Sequence, residues 1–114
     1  MKLCAVQIRP FKGDILKNID AHKKFIELAI VSGADIIVFP ELSITGYEPS
    51  LSKELVTTQD DHRLDEFQHF CDNKNIIIGV GMPIRSGAGI HISMLLFQAV
   101  PETAYILKTI FAFR

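Results

Sequence analysis

Glu41 is the residue in this chain best placed to move a proton. It directly follows Phe39-Pro40 and stands four residues before Thr45-Gly46-Tyr47. A carboxylate in a tight loop at the end of an apolar strand can act as a general acid or base, best where burial lifts its pKa toward neutrality. Tyr47 would add an aromatic wall beside it. Taken alone, Glu41 reads as a solvated loop acid, because Glu is normally exposed. Three other side chains could add chemistry: the thiols of Cys4 and Cys71 and the late cation Lys108. For Lys108 the plain reading is a strand-edge lysine. His22, His62, His69 and His91 are scattered and read as structural or surface residues. With no Cys-x-x-Cys and no paired Cys/His spacing, neither a metal site nor a cofactor is expected.

The elements that must position Glu41 follow from pattern. Residues 36–39 are continuously apolar and rich in β-branched types, as in a strand covered on both faces. Pro40 disfavours helix before it and cannot donate to a ladder, so the strand, predicted over 35–39, stops there. Its carboxyl end is where α/β sheets gather ligands. Upstream, residues 2–8 form a first strand, and Asp14 caps a helix running to about residue 32. Ile15, Ile19, Ile26 and Ala29 share one face of that helix, and Gly33 stops it. Residues 40–59 read as a long functional loop. A second helix is predicted over 61–73, with Asp60 and Asp61 at its start and Leu64, Phe67 and Cys71 as a narrow apolar face. A third strand covers 76–82, where Gly79 and Gly81 share a side and imply close packing from above. A turn at 86–89, a fourth strand over 92–100 and an apolar, β-prone run over 104–113 complete an α/β chain with a mixed sheet.

The chain has 114 residues, enough for one domain at most. With 48% hydrophobic and 22% charged residues it is globular in composition. The net charge is −1 and no basic block is present, which argues against nucleic acid and acidic lipid as partners. No apolar run approaches the roughly 20 residues that span a bilayer, and the N-terminus is too short and polar for a signal peptide. A cytoplasmic location is expected, and with it no disulfide between Cys4 and Cys71.

Phe39-Pro40-Glu41-Leu42-x-x-Thr45-Gly46-Tyr47, preceded by Gly33-Ala34-Asp35, resembles the first catalytic segment of the carbon–nitrogen hydrolases, the nitrilase superfamily. Ala5-Val6-Gln7 is similar to that family's first strand, Gly13-Asp14 and Asn18 to the start of its first helix, and Ile78-Gly79-Val80-Gly81 to a later core strand. The likeness runs from residue 3 to about residue 98. It implies a four-layer α-β-β-α sandwich of two similar halves. Residues 1–114 would be the N-terminal half, a mixed sheet with two helices. It also implies cleavage of non-peptide amide or nitrile C–N bonds by a Cys nucleophile, a Glu base and a Lys. Glu41 matches the base, which takes the thiol's proton and returns it to the leaving amine. Lys108 is the candidate for the lysine that stabilises the oxyanion, and Tyr47 for a residue lining the substrate pocket.

Two departures accompany the resemblance. The family carries Tyr-x-Lys, whereas Tyr105-Ile106-Leu107-Lys108 has one residue more. That turns Lys108 to the opposite face of a strand unless a bulge absorbs it. The family's nucleophile lies downstream of the Lys, on a strand-to-turn elbow. Cys4 falls in a strand and Cys71 in a helix, where both read as core residues. The chain is therefore expected to stop short of the nucleophile and to be inactive alone. Its partners would be a small-molecule amide or nitrile substrate and either a C-terminal half or a second copy. The alternative is a non-catalytic half-domain that binds a partner or small molecule through the Glu41 pocket.

Overall fold

A five-stranded sheet with spatial order β1-β2-β3-β4-β5 carries the chain. The computed structural model describes residues 1–46, 62–86, 89–99 and 109–113. The strands are β1 Leu3–Ala5, β2 Ile36–Val38, β3 Ile77–Ser86, β4 Gly89–Phe97 and β5 Thr109–Phe113. The first three are parallel and the last three antiparallel, so the sheet is mixed as expected. Helix α1, Ile15–Val31, makes the crossover from β1 to β2, and α2, Asp65–Lys74, precedes β3.

Local signals set α1 closely. The Asp14 carboxylate accepts from the Lys17 N–H at 3.1 Å and caps the first turn. Gly33 adopts φ +79°, the left-handed conformation in which glycine is not strained, and its N–H bonds the Ile30 carbonyl. Ile15, Ile19, Ile26 and Ala29 are all buried. The second helix starts later than expected. Residues 62–64 form a 3-10 turn that drives Leu64 into the core, and the acids of the first α-helical turn are Asp65 and Glu66. Asp60 and Asp61 lie outside the described residues. Leu64, Phe67 and Cys71 are buried as the pattern requires.

β3 runs four residues beyond the predicted 76–82, through Pro83. The Gly79 and Gly81 carbonyls both bond toward the β2 side, to Phe39 and Ile44. Backbone groups two residues apart point the same way, so Pro83 also faces that side, past the end of β2, where no strand among the described residues needs its missing N–H. β4 begins and ends earlier than the predicted 92–100. The hairpin register Ser86↔Gly89 fixes its start. The Gln98 carbonyl then accepts from the Gln68 side chain at 2.7 Å instead of extending the strand.

The core lies on one side of the sheet. Cys4, Ile37, Ile78 and Phe97 stand in register across four strands, and the last three are fully buried. Both helices contribute to the same cluster through Ile19, Ile26, Phe67 and Cys71. On the other side Ile36, Val38, Ile77, Met94 and Leu96 are only half-buried, and Leu3 is exposed. The expectation that β2 is covered on both faces therefore holds for one face, because the described elements supply helices to that face alone.

Candidate active site

The turn that bears Glu41 is seated on β3 by main-chain contact. A Cβ built on Gly81 would collide with the Leu42 nitrogen, and would stand 2.7 Å from the Pro40 carbonyl oxygen and 3.0 Å from the Glu41 carbonyl carbon. Those are backbone atoms, so only glycine admits the turn at this height. The close approach expected above both glycines is found at Gly81; at Gly79 the nearest atoms are the Met94 and Leu96 side chains of β4. Leu42 takes φ +54°, a left-handed conformation that costs a side-chain-bearing residue about 1–2 kcal/mol. The Ser43 N–H bonds the Pro40 carbonyl at 3.1 Å and the Gly46 N–H bonds the Leu42 carbonyl at 2.7 Å, closing two overlapping turns.

Beyond Pro40 this turn takes over the position of β2 beside β3. The Phe39 N–H donates to the Gly79 carbonyl and the Ile44 N–H to the Gly81 carbonyl, each at 2.9 Å. The Gly81 N–H donates to the Ser43 hydroxyl oxygen at 3.1 Å. From below, α1 supplies two polar side chains that are fully buried, Asn18 and His22. The Asn18 amide donates to the carbonyls of Phe11 and Ile44 at 2.7 and 2.8 Å, and its oxygen accepts from the Phe11 N–H at 2.7 Å. His22 Nδ1 lies 2.6 Å from the Asn18 carbonyl. A carbonyl only accepts, so Nδ1 carries the proton. Nε2 is then left to accept from the Ser43 hydroxyl at 2.9 Å. The ring packs against Phe39 with centroids 4.1 Å apart and planes tilted by 32°. Burial pushes the His22 pKa down to about 4 against the opposing pull of the Asn18 carbonyl, so the ring is neutral near pH 7.

Glu41 itself is exposed. It stands beyond the carboxyl end of β2, an interior strand of the sheet, next to an open depression of about 420 Å³ lined by Gln7, Ile8, Arg9 and Pro40. Tyr47 and Lys108 lie outside the described residues. The cysteines are not beside the acid. Cys71 is fully buried on α2, and burial, with Asp72 adding to it, pushes its thiol up to about 12. Cys4 is half-buried and level with Ile37 in mid-sheet, not at the strand ends. Among the described residues no group of three His, Cys, Asp or Glu side chains could hold a metal ion, and no helix is long and apolar enough to cross a membrane.

Sequence reasoning misses Asn18, His22 and Ser43 as builders of the site. The signal was present: Asn18 and His22 are polar residues four apart, inside the apolar stripe of α1.

Comparison with known proteins follows the same lines. The family model described as carbon–nitrogen hydrolase matches residues 2–106. No match is found among curated proteins. Among solved structures, a CN-hydrolase superfamily protein from Xanthomonas campestris aligns with TM-score 0.79 at 16% identity, over 98% of this chain and 40% of that one. An N-terminal amidase with a Gln-Gly peptide aligns with TM-score 0.71 at 21% identity, over 96% and 27%. An amidase from Nesterenkonia sp. aligns with TM-score 0.68 at 24% identity, over 84% and 37%. The chain thus spans 27% to 40% of the length of these similar structures.

Proposed function

The chain belongs to the carbon–nitrogen hydrolase family, and on that premise we propose that Glu41 is the proton-transferring carboxylate of a site that cleaves amide or nitrile C–N bonds. The observation that carries this reading is the seating of the Glu41 turn on Gly81, which holds an exposed carboxylate beyond the end of an interior strand. From there Glu41 takes the proton of a thiol, and the thiolate attacks the amide carbon. The oxyanion that forms is stabilised by a lysine ammonium, the role assigned to Lys108. Glu41 returns the proton to the departing amine, a thioester remains, and Glu41 then activates the water that cleaves it. Tyr47 is assigned to the pocket wall. Amides come first as substrates because two of the similar structures are named amidases.

Neither thiol of these 114 residues suits the nucleophile's part. Cys71 is buried and protonated, and Cys4 stands in register with Ile37, on the helix side of the sheet. Residues 1–114 alone are therefore expected to release no ammonia. The test is an ammonia-release assay of the natural gene product over a panel of small amides and nitriles. Turnover of at least one is the expected result. No turnover of any of them, together with retained binding of a panel compound, would instead favour a non-catalytic binding module.

A further inference from the structure

Resting on the reading of Glu41 as the proton-transferring group, we propose that His22 and Ser43 are positioning residues: the imidazole orients the Ser43 hydroxyl, and the hydroxyl holds the Glu41-bearing turn on β3 at Gly81. The need for such a device is set by Leu42, whose left-handed φ of +54° would relax if the turn were free. Beside the main-chain bonds from Ile44 to Gly81 and from Gly13 to Thr45, two side-chain links to α1 oppose that relaxation. One runs from the Asn18 amide to the Ile44 carbonyl. The other is the relay from the Gly81 N–H to the Ser43 oxygen and from the Ser43 hydroxyl to His22 Nε2.

The direction of the relay is fixed by chemistry. The Asn18 carbonyl claims the proton on Nδ1, which makes Nε2 the acceptor. The Ser43 hydroxyl then points its hydrogen at the ring and leaves its lone pair for Gly81. A histidine merely filling space here would be replaceable by Phe, since Phe39 and Phe67 already surround it. Burying an imidazole instead of a phenyl ring costs desolvation that only satisfied hydrogen bonds return. Burial also keeps the ring in its accepting form at neutral pH.

The test is amide hydrogen exchange by NMR on the ¹⁵N-labelled natural gene product, comparing Ser43→Ala, His22→Phe and His22→Gln. Ser43→Ala and His22→Phe are expected to speed exchange at Gly81 roughly tenfold and to shift the resonances of residues 41–46, with α2 unchanged. His22→Gln keeps an acceptor oxygen and is expected to restore most of the protection. Unchanged Gly81 exchange in both variants, or equal acceleration at every amide, would overturn the proposal. Glu41→Gln should leave Gly81 exchange as in the wild type; its effect on turnover bears on the reading of Glu41 alone. In a turning-over gene product, His22→Phe should lower kcat with KM unchanged. Unaltered kcat there, beside a dead Glu41→Gln, would refute the positioning role and leave the base intact.

Discussion

Both sides of the sheet carry large apolar residues, and these end in different states. On the helix side Ile37, Ile78 and Phe97 lie in one register row and are fully buried. On the opposite side Ile36, Val38, Met94 and Leu96 are half-buried. The difference separates what a strand is composed for from what covers it among the described residues. β2 carries the composition of a strand buried on both faces, yet α1 and α2 cover one. Glu41 belongs to the less covered side, because a side chain at Gly81 would point away from the helices and into the turn.

A mild Phe97→Ala would remove the difference between the two sides. That substitution empties a fully buried site on the helix side and is expected to cost about 3–5 kcal/mol in a denaturant melt. Acid should be next in effect, through His22. Its folded pKa of about 4 lies below the ordinary 6.5, so between those values the unfolded chain binds a proton that the folded chain does not. Stability is then full above pH 6.5 and falls by about 3 kcal/mol as the pH drops to 4, with no further loss from this group below. His22→Phe should flatten that slope, which melts at stepped pH would read. Smallest is Ile36→Thr on the open side, expected within about 1 kcal/mol of wild type because the side chain is only half-buried. A loss as large as that of Phe97→Ala would mean that the two sides are equally sealed. A charge at the same position tests this face in solution: if two copies meet through it, Ile36→Lys should lower the measured mass to that of a monomer.

Much of this architecture is legible in the sequence because its signals are local. Asp14 caps α1, Gly33 ends it, Pro40 stands just past the end of β2, and Gly81 announces the backbone lying close above it. What the sequence hides is long-range. Ser43 meets His22 across 21 residues and Gly81 across 38, and no periodicity records such a meeting. The reach of β3 through Pro83 is hidden for a related reason. It depends on where β2 stops, a property of the neighbouring strand and not of β3 itself. For the site, the motif picks out Glu41, and the fold puts it beyond an interior strand end, as expected. Glu41 itself is exposed, and the open depression near it is lined by Gln7, Ile8, Arg9 and Pro40.

The central claim is that Glu41 moves the proton in C–N bond cleavage. Ammonia release by the natural gene product and by its Glu41→Gln variant, measured side by side with thermal melts of both, tests it most directly. Gln keeps the size of the side chain and removes its basicity. Since Glu41 is exposed, the melts should coincide. The rate is expected to fall by at least about a hundredfold, the scale of lost general acid–base catalysis. Equal rates from two equally folded proteins would contradict it.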